Sequence, residues 1–367
     1  MRFFITALLL FCAQISAAEV QPLAVGAQAP DFKLKGIDGK TYTLKSFKGD
    51  VLVVIFSANH CPTAQAYEDR FIRFVENYPN VSVVMISPNA PNAVALEELG
   101  YTDLGDSFEE MKIRARQKKF NFPYLYDGDT QSTAKAYGPQ ATPHLFIFDK
   151  TRKLRYQGRF DDTENPYETP RSHDAVNAVK ALLAGEPVPV EQTKVFGCSI
   201  KWAEKSAWVA RLDAEWAALP VEVQSVDLAG VRELIKNDSD KYILLNIWAT
   251  WCGPCVVEFP DLVKIHRMYG NRRFELVTLS ADKPNQRDQV LKFLQERRAA
   301  VRNLHADTED IYALIEVVDS QWGGAIPYTL LIAPGGQVLY RHTGLIDPPE
   351  VKQQIIQQIG RYFADDK

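Results

Sequence analysis

At 367 residues, 46% apolar and 24% charged, the chain has the proportions of ordinary globular protein and length enough for two domains, each with its own core. The net charge of −4 gives no electrostatic basis for holding nucleic acid or an anionic membrane. Five cysteines are too few for a disulfide-stapled scaffold, so these thiols are expected to act rather than to brace.

Met1-Arg2 is a short basic start, Phe3 to Cys12 an apolar run, and Ser16-Ala17-Ala18 offers small residues at the spacing a signal peptidase reads. Residues 1–18 are therefore expected to be a secretory signal cut after Ala18, which places the mature chain in the periplasm or outside the cell. The apolar run is too short to span a bilayer comfortably, so no stable membrane insertion is expected after cleavage. Phe11 stands where a lipoprotein signal wants a small residue before Cys12. Cys61, Cys198, Cys252 and Cys255 stay with the mature chain.

Ile37-Asp38-Gly39-Lys40 predicts a hairpin turn between two short strands. Val51 to Phe56 predicts a buried parallel strand. Asn59-His60-Cys61-Pro62-Thr63-Ala64 then leads into a helix with Tyr67, Phe71, Phe74 and Val75 on one stripe. Val81 to Ile86 is the next buried strand. Residues 90–122 read as an insertion with one or two helices; its basic cluster (Lys112, Arg114, Arg116, Lys118, Lys119) is expected to be a solvated helix face. A helix through Ala134 to Tyr137, the pair Thr142-Pro143, strands at His144 to Phe148 and Lys153 to Gln157, and a helix over Asp174 to Leu183 complete a first domain, residues 19–185.

Residues 186–221 read as a connection. Glu186-Pro187-Val188-Pro189-Val190 is a stiff, extended linker, followed by a tail carrying Cys198. A helix over Lys201 to Leu219 puts Trp208, Leu212, Trp216 and Leu219 on one face, expected to pack in the core or between domains. Residues 222–367 repeat the first plan: a strand at Tyr242 to Trp248, a helix opening at Cys252, a strand at Phe274 to Leu279, a helix over Asp288 to Arg297, the pair Ile326-Pro327, strands at Tyr328 to Ile332 and Gln337 to Arg341, and a last helix over Pro349 to Tyr362. Cys61 aligns with Cys252, and Thr142-Pro143 with Ile326-Pro327. The chain is expected to be an α/β protein built from a duplicated domain, each copy a mixed sheet flanked by helices.

Chemistry concentrates at Trp251-Cys252-Gly253-Pro254-Cys255. A strand ends, a helix begins, and the first cysteine lies at the helix N-terminus, where unpaired N–H groups and the helix dipole favour its thiolate. Gly253-Pro254 keeps the turn tight enough for the second sulfur to close on the first. This is the pattern of a thiol–disulfide site; a four-sulfur zinc site would need a second pair of this kind, and the sequence has none. Four cysteines allow three pairings. Ring size and the motif favour Cys252 with Cys255, which leaves Cys61 and Cys198.

Residues 222–367 resemble the thioredoxin superfamily, and within it the periplasmic reductases of TlpA/ResA type, through Trp251-Cys252-Gly253-Pro254-Cys255, Glu258-Phe259-Pro260 and Ile326-Pro327. Residues 19–202 resemble the peroxiredoxin-like group related to AhpC/TSA, through Asn59-His60-Cys61-Pro62, Tyr67-Glu68-Asp69-Arg70, Ala141-Thr142-Pro143, Arg155 to Arg159 and Gly197 to Trp202. Val54 and Ala58 stand where peroxiredoxins carry a proline and a threonine, so the hydroxyl that helps to place a peroxide is missing. Ala64 stands where a CxxC would have its second sulfur.

The resemblance implies two tandem thioredoxin-like domains, no cofactor and no metal. It makes Cys252 the nucleophile, Cys255 the resolving thiol, Glu258 a carboxylate that relays protons to them, and Pro327 part of a cis-proline loop beside which a substrate strand pairs. Cys61 is expected to react at the equivalent helix start and to pair with Cys198, with His60 as acid or base and Thr63 offering a hydroxyl. The expected activity is thiol–disulfide exchange in the reducing direction. The second domain would also reduce a Cys61–Cys198 bond within the same chain, an internal electron relay in which the chain carries its own reductase. The expected partners are disulfide-bearing proteins and an upstream membrane thiol donor. Two alternatives stand beside it: a thiol peroxidase centred on Cys61 and recycled by the second domain, and a partner-binding module fused to a thioredoxin.

Overall fold

The computed structural model describes residues 20–363; the signal expected at residues 1–18 lies outside them. The first sheet contains β1 (Lys33–Gly36), β2 (Thr41–Thr43), β3 (Leu52–Phe56), β4 (Ser82–Ser87), β5 (Tyr124–Tyr126), β6 (His144–Phe148) and β7 (Leu154–Gly158), in the order β2-β1-β5-β4-β3-β6-β7. The second contains β8 (Gln224–Val226), β9 (Tyr242–Trp248), β10 (Phe274–Ser280), β11 (Arg302–Ala306), β12 (Tyr328–Ile332) and β13 (Val338–Thr343), in the order β13-β12-β9-β10-β11-β8. Helices α1 (Pro62–Asn77), α2 (Phe108–Lys118), α3 (Ser132–Tyr137) and α4 (Asp174–Ala184) flank the first sheet. Helix α5 (Ser206–Ala217) connects. Helices α6 (Leu228–Lys236), α7 (Gly253–Tyr269), α8 (Arg287–Glu296), α9 (Ile311–Val318) and α10 (Pro348–Ile359) belong to the second unit.

The two units share one plan. β3 pairs parallel with β4 and antiparallel with β6; β9 pairs parallel with β10 and antiparallel with β12. Central strands buried on both faces need apolar residues at every position, and β3 is buried throughout. Val53 and Ile55 face Tyr67, Phe71 and Phe74 of α1, while Leu52, Val54 and Phe56 face Tyr137 and Phe146. Each such side chain contributes about 1.5–3 kcal/mol on burial. The register brings Phe56 opposite His144 and Ile247 opposite Tyr328. Each cysteine-bearing helix start therefore sits beside the Thr142-Pro143 or Ile326-Pro327 loop, and both X–Pro bonds are cis. This is the tandem thioredoxin-like architecture expected from the sequence.

The insertion joins the two units. Residues 91–93 and 96–99 form short 3-10 turns ahead of α2. Leu99 enters the apolar cluster of Leu262, Ile265, Met268 and Tyr269. The Tyr269 hydroxyl donates to Thr102 O at 2.7 Å, Arg272 donates to Gly100 O at 2.7 Å, and Arg361 reaches Asp103 at 2.7 Å. The basic cluster is not simply a solvated face: Arg114 is buried and donates to both carboxylate oxygens of Glu68, at 2.8 and 2.6 Å. A buried carboxylate in that position requires such a partner. The connecting helix is shorter than the stripe suggested. Its Trp216 packs on the second unit and donates to Arg298 O at 2.9 Å, but no residue of α5 is fully buried and Leu219 is exposed.

Candidate active site

β9 ends at Trp248, whose ring is buried against Phe259 and Phe293. Thr250 turns the chain, held by Asp282 through its N–H at 2.9 Å and its hydroxyl at 2.6 Å. Cys252 is the N-cap of α7, and its sulfur accepts from Cys255 N at 3.3 Å. Pro254 sits in the first turn, where no N–H is needed. Cys252 and Cys255 are joined in a disulfide. Cys252 is 5% exposed and Cys255 fully buried, while Trp251 beside them is 68% exposed. Cys252 is thus the more accessible sulfur of the pair.

Glu258 is buried one turn further along α7. Asn246 Nδ2 donates to one of its oxygens at 2.8 Å and Ile346 N to the other at 2.9 Å. Burial pushes its carboxyl up, and these two donors offset that only in part, so its pKa stays raised. Ile326-Pro327 lies at the same edge of the sheet, and Gly344 N donates to Pro327 O at 2.8 Å.

The first unit builds the matching site with one sulfur. Cys61 is the N-cap of α1, and its sulfur accepts from Ala64 N at 3.4 Å; Ala64 occupies the place of Cys255. Cys61 is fully buried, and Cys198 lies against it without a bond between them. The Cys198 segment forms an antiparallel bridge to Thr142: Thr142 N donates to Cys198 O at 2.9 Å, and the Cys61 thiol donates to Thr142 O at 3.0 Å. Gly197 makes this approach possible. Its φ is +132°, and a Cβ there would collide with Thr142 O.

His60 is buried. Its Nδ1 lies 2.5 Å from Asp106 Oδ2, and its backbone N–H donates to Asp106 Oδ1 at 3.1 Å. Asn89 donates to Asp106 at 2.7 Å and accepts from Lys201 N at 2.8 Å, which ties the Cys198 tail to the same group. Burial pulls the His60 imidazole down, but Asp106 more than offsets this and its pKa is raised. Burial pushes the Cys61 thiol up; the hydrogen bond from Cys198 and the charge of His60 outweigh it and bring it down to about 6. The hydrogen bond to Cys61, then burial, push the Cys198 thiol up. Thr63 is not part of this site: its hydroxyl donates to Glu164 at 3.0 Å.

Asp106, Asn89, Asp282 and Thr250 carry no motif, and the sequence reading passed over them. The two cysteine pairs sit in separate clusters with no shared residue. The α7 residues that grip the first unit, Leu262 to Tyr269, lie roughly 15–25 Å along the helix from Cys252 at 1.5 Å of rise per residue.

The sequence matches the AhpC/TSA family twice, over residues 25–157 and 217–341. The chain belongs to the AhpC/TSA family. Among its relatives within thioredoxin-like proteins is the thiol–disulfide oxidoreductase ResA of Geobacillus thermodenitrificans, 28% identical over 129 residues, covering 35% of this chain and 70% of that protein. A thiol:disulfide interchange protein, the DsbE homologue of Paracoccus denitrificans, is 28% identical over 149 residues, covering 40% of this chain and 72% of its own. A crystal structure of an uncharacterised conserved protein from Geobacillus kaustophilus is 38% identical and covers 49% of this chain and 92% of its own, with a TM-score of 0.44. The reading of this AhpC/TSA chain as a thioredoxin-like oxidoreductase agrees with the two named oxidoreductases. Within the first AhpC/TSA unit, Ala58 shares the buried cluster of Cys61 and Ala64. No helix among the described residues is long and apolar enough to cross a membrane.

Proposed function

We propose that the chain is a secreted, periplasmic thiol–disulfide oxidoreductase of the reducing kind, whose Cys252–Cys255 pair acts on disulfides in extended polypeptide segments. The observation that carries this reading is the setting of the Cys252–Cys255 disulfide. Exposed Trp251, Val257, Tyr312 and Leu345 lie on segments that leave the second sheet at the cysteine-bearing edge, as the strand register requires. Thr142 is bridged by the chain's own Cys198 segment, and among the described residues Ile326 has no such bridge. The second site therefore offers an apolar rim and a backbone edge to an outside strand.

In the reducing direction the Cys252 thiolate bonds to one sulfur of the substrate disulfide and the other leaves as a thiolate. Cys255 then bonds to Cys252, the mixed disulfide breaks, and the second substrate thiol is released. The enzyme ends in the disulfide state present here and needs two electrons to restart. In an oxidising compartment these come from an upstream membrane-bound thiol donor. Glu258 relays protons to the pair. The Cys61–Cys198 couple exchanges electrons with the second site.

Reduction of insulin disulfides tests the proposal. The parent chain is expected to accelerate the reaction, and Cys252→Ser to abolish it. Full turnover by Cys252→Ser, with loss in Cys61→Ser, would overturn it.

A further inference from the structure

A cavity of about 410 Å³ lies between the two units, and no cysteine lines it. One wall is the outer face of α1 from Gln65 to Arg73, where residues four apart stand above one another. Arg114 and Lys118 of α2 form a second wall, and Arg361 and Phe363 from the end of the second unit complete it. Arg361 spans the units, donating to Gln65 Oε1 at 3.0 Å and to Asp103 Oδ1 at 2.7 Å. Clefts of this size between domains are where small-molecule sites recur.

Five cations line this cavity against one carboxylate, Asp69. Four of them are held: Arg70 by Asp161 at 2.8 Å, Lys118 by Asp69 at 2.9 Å, Arg361 by Asp103, and Arg114 by Glu68 at 2.6 Å. Arg73 is exposed and pairs with no carboxylate among the described residues. Arg114 is only 4% exposed, yet Glu68 takes just its Nε and Nη2. The Nη1 amino group of this buried guanidinium has no acceptor among the described residues. Buried donors are normally met, and the cavity that Arg114 lines is where an acceptor can stand. An anion would answer both arginines, since carboxylate and phosphate oxygens match the guanidinium fork. Tyr167, 57% exposed, and Phe363 border the same space, so flat apolar surface is available beside the charge.

We propose that this cavity is a binding site for a small organic anion, its carboxylate or phosphate group held by Arg73 and Arg114 and its flat ring by Tyr167 and Phe363. The site lies outside the thiol chemistry above and does not depend on it. The cations already neutralised by Asp161, Asp69 and Asp103 shape the cavity, and the attraction comes from the two arginines with N–H groups to spare. Arg73 and Arg114 belong to the first unit and Phe363 to the second, so the bound anion ties one unit to the other.

Isothermal titration calorimetry of the full chain tests this, with benzoate and phenyl phosphate as probes and benzamide as the neutral match for benzoate. One saturable site per chain is expected for at least one of the anions, with an affinity that falls as salt is added, and none for benzamide. The two anions separate a carboxylate ligand from a phosphate one. Arg73→Gln, at an exposed position where the fold is expected to tolerate the change, should weaken binding about tenfold or more. Tyr167→Ala should weaken it as well, through the lost ring contact. No saturable binding of either anion at millimolar concentration, equal binding of benzamide, or an affinity unchanged by Arg73→Gln would overturn the proposal.

Discussion

At the scale of single residues, Glu258 joins structure to pH. Its carboxyl is raised because burial outweighs the donors from Ile346 and Asn246. It therefore holds a proton at pH values where an exposed glutamate has lost one, as a proton relay to a neighbouring thiol pair requires. Glu258→Gln is expected to slow exchange at Cys252–Cys255 by up to about 10²-fold and to erase the ionisation from the pH–rate profile, read by stopped-flow reduction. The linkage has a definite sign. With the folded value above the unfolded one, the group's contribution to stability is complete below the unfolded value and is lost as pH rises through the folded one. The thermal midpoint of the parent should accordingly fall relative to Glu258→Gln as pH climbs through that window. The cysteines and Glu258 were legible because spacing from a helix start fixes their places. Asp106 was not, because its bond to His60 spans 46 residues of chain and no local pattern announces it. Arg114 was misplaced for a related reason: a run of charges resembles a wet surface until Glu68 is found beneath one member.

Among the elements, the Cys198 tail is held by backbone geometry that tolerates little. Gly197→Ala would drive a Cβ into Thr142 O at a positive φ, so the tail should lift from the Thr142 edge. The expected outcome is a rise of about tenfold or more in the rate of Cys61 alkylation, followed by mass spectrometry, with a loss of order 1 kcal/mol or more in stability. An alkylation rate equal to that of the parent would show that the tail does not cover Cys61. The long buried strands were legible to within a residue or two because each is a mostly apolar run, broken only by a few polar residues such as Asn246 in β9. β5, β8 and β11 were missed. Gln224-Ser225-Val226 and Arg302-Asn303-Leu304-His305-Ala306 are short and polar, and become strands only because a finished neighbour offers its edge. Helices α6 and α9 were also passed over, although Asp227 and Asp310 cap them by accepting from Gly230 N and Ala313 N.

For the molecule as a whole, the insertion after β4 serves as the clamp between two copies of one fold, and α7 carries its cysteines at one end and its grip on the neighbour at the other. The repeat itself was visible in the sequence, but the clamp was not, since it depends on surfaces that face each other only after both units have folded. The segment after residue 185 has a further effect. Glu191 and Thr193 pair with Gln157 of β7, through Gln157 N to Glu191 O at 3.0 Å and Thr193 N to Gln157 O at 3.1 Å. Val188 and Phe196 pack on the first core. The linker thus covers the end of β7, an outer strand of the first sheet whose start is already paired by residues 26–29, and keeps that backbone from other chains. A fragment stopping at residue 185 should self-associate in light scattering, whereas one extended to residue 202 should stay dispersed. Anyone dissecting the two halves, or a protease nicking between them, meets a boundary set by solubility: the stretch that looks like spacer is the first unit's own guard against aggregation.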